Sequence, residues 1–213
     1  MAMLSIDHVA VAVLDLERAA GELQRRTGLA ATTRLEQAAW GTAALIVPLR
    51  QGFLELIAVT APLAAARSLI GSRIGAVAAR GGGVVAWALA PPVIEEFAAS
   101  RGLVVQKGMR AAADGGAAEY SWQMAGVVQA FFSDLPLTIS WDSGGVNPHT
   151  AAAVRAGLGV DGRFTTIDVD ADPVALEVWL GDEPRDFALR RTSHGGRRCA
   201  AIIQAGADEV WVP

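Results

Sequence analysis

Apolar and polar positions alternate at the start of the chain. From Ser5 to Val13, strict alternation puts Ile6, His8, Ala10 and Ala12 on one face and Asp7, Val9, Val11 and Val13 on the other, the period of a buried strand. Asp15 then stands where a helix cap is wanted, ahead of Leu16, Ala19, Ala20 and Leu23 at helical spacing. Glu22 and Arg26 form an exposed pair one turn apart, and Gly28 is a stop signal. Three runs bounded by turn residues predict strands near 30–36, 41–48 and 52–59, with Arg50-Gln51-Gly52 joining the last two. The unit is β-α-β-β-β. Pro62 to Arg80 predicts a helical connector. The glycines 81–83 after it precede a strand instead of opening a helix, so they predict a linker and not a phosphate cradle.

The pattern then recurs. Val84-Val85-Ala86-Trp87-Ala88-Leu89 lies over His8-Val9-Ala10-Val11-Ala12-Val13. A helix over Pro92–Arg101 ends in Gly102-Leu103, matching Gly28-Leu29, and strands follow near 103–107, 118–124 and 137–141, with Asp114-Gly115-Gly116 as a turn. Aligning the last strands puts Ser140 over Glu55 and requires extra residues in the middle of the second copy. Beyond Trp141 the chain loosens, and Asp142 and Asn147 are expected as loop caps. From Arg163 a third β-α-β-β-β string begins: an alternating run over Thr166–Asp170, a helix opened by Asp172-Pro173, then strands near 187–191, 199–204 and 209–212.

Composition narrows the classes. The 213 residues are 52% hydrophobic and 19% charged, which excludes a disordered chain, yet no apolar run is long enough to span a bilayer. The opening residues carry no secretory pattern, so a cytoplasmic protein is expected, with no membrane partner. A formal net charge of −4 argues against a nucleic-acid partner. The arginines of 190–198 lack interleaved aromatics and predict a solvated hairpin. The single cysteine, Cys199, excludes an internal disulfide and predicts a buried thiol. Alanine is abundant and all basic residues but Lys107 are arginine, a bias of GC-rich bacterial coding.

Several pieces occur in a telling order: Asp7-His8 with its alternating run to Asp15, Gly41-Thr42, Val47-Pro48-Leu49, Gly52-Phe53-Leu54-Glu55-Leu56-Ile57, the Val84–Leu89 run, Leu135-Pro136, Ile139-Ser140-Trp141-Asp142 and His149. Together they resemble the glyoxalase-like domain proteins of the vicinal oxygen chelate superfamily. The resemblance implies an α+β fold in which paired βαβββ modules form an open, cup-shaped mixed sheet. It implies a glyoxalase-like domain over 1–145 (modules about 4–60 and 83–142), a linker over 146–162, and a smaller C-terminal α/β unit over 163–213. The unpartnered third string offers a sheet edge for a homodimer.

The resemblance also implies a small-molecule ligand in the cup and, in many members, one divalent metal ion (Fe, Mn, Zn or Ni) held by His and Glu from both modules. Carried over, His8 and Glu55 occupy such positions in the first module and are the candidate catalytic residues. In the second module Val84 and Ser140 stand where ligands are expected, and neither is a useful ligand. His149 is the residue left to complete a His8, Glu55, His149 triad. Without a metal, a His8–Glu55 pair supplies general acid–base chemistry. Trp87, Trp122, Ser140 and Trp141 are the candidate substrate-binding residues, and Arg110 is either an anion contact or a solvated strand end. Three functions stay open: a lyase, isomerase or dioxygenase, a metal-free protein that binds or sequesters a small molecule, and a structural or interaction role in which the C-terminal unit pairs between subunits.

Overall fold

The computed structural model describes residues 3–111, 118–142, 147–155, 157–158, 161–169, 172–190, 199–205 and 208–212. The expected turn at 114–116, the arginines beyond Arg190 and the Cys199 side chain lie outside what it describes.

The first module runs β1 (Ser5–Ala12), α1 (Leu16–Thr27), β2 (Thr33–Gln37), β3 (Thr42–Pro48) and β4 (Phe53–Val59), with a 3-10 turn at Ala38–Trp40. Asp15 caps α1 by accepting from the Arg18 amide, as its position predicts. Glu22 pairs with Arg18, a turn before it, and not with Arg26. Helices α2 (Pro62–Ala65) and α3 (Leu69–Ala78) form the connector. The second module runs β5 (Gly83–Ala90), α4 (Ile94–Ala99), β6 (Gln106–Ala111), β7 (Ala118–Ala125), α5 (Val127–Phe132) and β8 (Leu137–Trp141). Helix α5 accounts for the extra residues of the second copy: the first module makes the same β3–β4 connection in a tight turn.

The eight strands form one sheet in the order β2-β3-β4-β1-β5-β8-β7-β6. β1 and β5 pair antiparallel at its centre, and each pairs in parallel with the last strand of its own module. The fold is therefore two βαβββ modules joined through their first strands into a curled, open sheet. On its inner face Ala10, Ile46, Ile57, Ala86 and Ile139 meet Ile74 and Val77 of α3 and Phe131 of α5. The two helices close part of the cup and leave the rest as a cavity.

The remaining elements are α6 (Pro148–Arg155), β9 (Arg163–Val169), α7 (Pro173–Leu180), β10 (Ala188–Arg190), β11 (Cys199–Ala205) and β12 (Asp208–Val212). Helix α6 lies in the stretch expected as a linker. The second sheet has the order β10-β9-β11-β12. Its first strand is interior, whereas the first strand of each cup module lies beside the last, so the string repeats the element order without repeating the topology. This sheet is not free-standing. Ile167, Leu176, Leu180, Phe187 and Ile203 share one hydrophobic cluster with Leu4, Ile6, Val9, Trp87 and Leu89 on the outer face of the cup. Arg101 adds a tie, stacking over Phe97 and donating to the Trp179 carbonyl on α7. Among the described residues no helix is long and apolar enough to cross a membrane.

Candidate functional site

Strict alternation along β1 fails at Asp7. Ile6 stands opposite Leu89 and His8 opposite Ala88, so Asp7 is an extra residue in a bulge. Ile6, Val9 and Val11 consequently share the outer core, while His8 and Ala10 face the cup. Asp7 is released from the ladder and turns its carboxylate to its neighbour: His8 Nδ1 lies 2.7 Å from Asp7 Oδ1. The other carboxylate oxygen accepts from Trp141 Nε1 at 2.8 Å. Both Asp7 and His8 are buried. With Nδ1 on the carboxylate, Nε2 is the ring nitrogen left for the cavity. Phe53, across on β4, stacks on the imidazole at 4.7 Å between centroids and fixes its plane. Gly52 makes this approach possible, since a Cβ there would overlap the Asp7 carbonyl oxygen, and its φ of 81° suits glycine.

Glu55 lies beside Ala10 in the β1–β4 pairing and lines the cavity with His8. Its Oε1 accepts from Gln37 Nε2 at 2.8 Å, and Gln37 Oε1 accepts from the Thr42 hydroxyl at 2.8 Å. Burial pushes the Glu55 carboxyl above the usual carboxylate range, partly opposed by His8 and by the Gln37 hydrogen bond.

His149 comes from α6. Asn147 caps that helix by accepting from the His149 and Thr150 amides, and the Thr150 hydroxyl lies 3.0 Å from Leu49 O and 3.1 Å from Gly52 O. The helix is thereby tied to the β3–β4 turn. The His149 ring meets Phe53, Tyr120 and Trp141 edge-on at 5.0, 5.4 and 6.0 Å. Burial lowers its pKa to about 4, helped by His8 and Arg110 and opposed by Asp7, so the ring is neutral at pH 7.

These groups open on one cavity of about 350 Å3. His8, Glu55, Gln37, His149 and Arg110 supply its polar positions, and Trp40, Phe53, Tyr120, Trp122, Phe131 and Trp141 its aromatic wall. Trp122 lies flat over Gly108 of the neighbouring strand, where a Cβ would overlap its ring.

Six of the residues singled out from the sequence therefore meet: His8, Glu55, Arg110, His149, Trp122 and Trp141. Two do not. Trp87 opposes Val9 and so belongs to the outer core, where its indole donates to the Asp134 carbonyl and its ring meets Phe187 edge-on. Ser140 faces away because its neighbours Ile139 and Trp141 take the cavity face of β8. Nor do His8, Glu55 and His149 make a metal triad. Among the described residues no group of three His, Cys, Asp or Glu side chains could hold a metal ion. As placed, His8, Glu55 and His149 therefore supply no three-donor set for a divalent ion. Asp7, Gln37, Phe53 and Tyr120 escaped the sequence reading. An acidic residue beside a histidine in an apolar strand was the available signal for the first.

A family model described as a glyoxalase-like domain matches residues 6–177. The chain belongs to that family. The match runs past the cup through α6 and β9 and into α7. Among solved structures, a hypothetical protein from Staphylococcus aureus aligns with TM-score 0.58 at 14% identity, covering 98% of this chain and 84% of that one. Its likeness shows the fold alone, C-terminal unit included. Methylmalonyl-CoA epimerase from Mycobacterium tuberculosis aligns at TM-score 0.45 and 19% identity over 70% of this chain and 92% of that one. The Streptomyces coelicolor methylmalonyl-CoA epimerase in complex with 2-nitronate-propionyl-CoA gives 0.45 and 16% over 68% and 100%. No curated protein matches.

Proposed function

We propose that this glyoxalase-like protein is a small-molecule enzyme of the vicinal oxygen chelate type that moves protons with its own side chains. One observation carries the reading: a histidine oriented by a buried aspartate and a carboxyl with a raised pKa face the same apolar cavity. His8 Nε2 takes a proton from carbon next to a substrate carbonyl, and Asp7 stabilises the imidazolium that forms. Glu55, held toward its neutral form by burial, donates a hydrogen bond or a proton to the developing enolate oxygen. Return of a proton from His8 to carbon, and of the enol proton to Glu55, gives an isomer and restores both side chains, so no atom or electron is left over. No step runs through a metal, because the residues do not fit one.

The experiment needs no known substrate. Small ketones and aldehydes are incubated in D2O with protein treated with chelator, and NMR follows deuterium entering the carbon beside the carbonyl. Exchange above the buffer rate is expected, lost in His8→Ala and in Glu55→Gln. Exchange that appears only when Fe(II), Mn(II), Zn(II) or Ni(II) is added would overturn the metal-free mechanism.

The second reading is a binding or sequestering protein. The apolar wall favours it, since the second module brings no acid–base pair to the cavity. Saturable quenching of tryptophan fluorescence by the same compounds, with no exchange for any of them, would select it.

A further inference from the structure

One cation in the cavity wall is not used by the proton chemistry. Arg110 lies on β6, on the same strand face as Gly108, and is only partly exposed. Among the described residues its guanidinium makes no hydrogen bond and no ion pair. The acidic side chains at the cavity each have a partner: Asp7 has His8 and Trp141, Glu36 has Arg34, and Glu55, held toward its neutral form, has Gln37. A guanidinium beside apolar surface, with no counter-ion among the described residues, is a ready site for a carboxylate, which its planar fork matches.

A second donor stands close by. His149 lines the same cavity, and Arg110 is near enough for its charge to disfavour a proton on His149. The neutral imidazole still carries one N–H. Its position is set by the Asn147 cap and the Thr150 tether, so it meets a ligand without reordering. The rest of the wall is apolar. Val127, Phe131 and Leu137 line it together with Trp122 and Trp141. At about 350 Å3 the cavity is at the small end of ligand sites, which span roughly 300–1,000 Å3, and it suits a ligand with a single ring.

We infer that the cup takes a small monocarboxylate with an apolar body, its carboxylate held by Arg110 and His149 and its body lying against Trp122 and Trp141. The inference rests on the cup being the ligand site of the proposed enzyme, and it names the substrate class.

Phenylacetate and its uncharged isostere phenylacetamide are the probes, titrated against the full chain with tryptophan fluorescence and confirmed by ligand NMR. Phenylacetate should bind about tenfold or more tighter than phenylacetamide at neutral pH. Arg110→Gln should erase that preference, and Arg110→Lys should restore only part of it. His8→Ala should keep the preference. Equal affinity for the two probes, no phenylacetate binding at millimolar concentration, or a preference that survives Arg110→Gln would each overturn the inference. Its failure is separable from that of the enzyme reading. Deuterium exchange without a carboxylate preference rejects only the substrate class. A carboxylate preference without exchange of any carbonyl compound upholds the substrate class as a ligand class and rejects the enzyme.

Discussion

In the first module the cavity-facing positions of β1 and β4 are His8, Ala10, Phe53 and Glu55. In the second, β5 and β8 present Ala86, Leu137, Ile139 and Trp141. The strand plan is the same, and the parallel pairing of first and last strand is the same. On these four strands the residues differ in kind: β1 and β4 carry titratable groups with partners, and β5 and β8 carry wall. A metal shared between two halves needs donors from both. A cup with donors in one half can still run acid–base chemistry, because a base and an acid act across a substrate without a common centre. The contrast also explains the aromatic residues. Trp122 and Trp141 give the cavity an apolar wall beside His8 and Glu55, and Trp141 in addition ties the halves together through Asp7.

The largest effect should come from removing the base. His8→Ala is expected to lower proton exchange by about 10²–10⁴-fold, measured by NMR, with the circular dichroism spectrum unchanged. Trp122→Leu should weaken probe binding while leaving most of the exchange rate at saturating probe. If Trp122→Leu cost as much turnover as His8→Ala, the division between chemical half and wall half would be broken.

Next is a tryptophan on the wrong side of the sheet for binding. Trp87→Ala should cost about 3–5 kcal/mol in denaturant unfolding, because it empties a fully buried site. The protein that remains folded should bind probes as the wild type does. Trp141→Phe should cost less, about 1–3 kcal/mol, by leaving an Asp7 oxygen without its donor, and it should also reduce exchange.

Two buried groups in the cup titrate with opposite signs. The His149 pKa falls on folding from an ordinary 6.5 to about 4, so the unfolded chain binds more protons in that window. Stability is therefore fully present above about pH 6.5 and is lost as pH falls toward 4, by about 3 kcal/mol. Glu55 is raised, so its contribution is present below the ordinary carboxylate pKa and is lost as pH rises through the folded value. His149→Gln should flatten the acid side of the stability–pH profile measured by urea unfolding, and Glu55→Gln should flatten the other side. The smallest effect is expected from Gly108→Ala. It should cost about 1–3 kcal/mol or less as the Trp122 ring is displaced, and shift the preference of the cavity toward slimmer probes.

The duplicated strand order was legible because each module repeats the same alternation of runs and turns, and His8, Glu55, Trp122 and Trp141 were legible from their places in those runs. What was not legible has physical causes. Trp87 was misplaced because β5 is apolar on both faces, so composition does not say which face a tryptophan takes. Asp7 was grouped on one face with Val9 and Val11, and Ile6 with His8, because alternation counts residues, and a bulge breaks the count. Helix α6 was taken for a linker although Asn147-Pro148 is a helix-start signature, with Asn147 at the cap. The core shared by the C-terminal unit and the cup has no local signal, because it depends on contacts between segments far apart in the chain.

The bulge at Asp7 has a bearing on descent as well as on chemistry. One inserted residue changes the phase of β1, so a relative lacking it can keep the same strands, the same histidine and the same fold and still have no carboxylate behind its imidazole. In this chain the residue spacing of the first strand, and not the histidine alone, is what puts a carboxylate behind the imidazole.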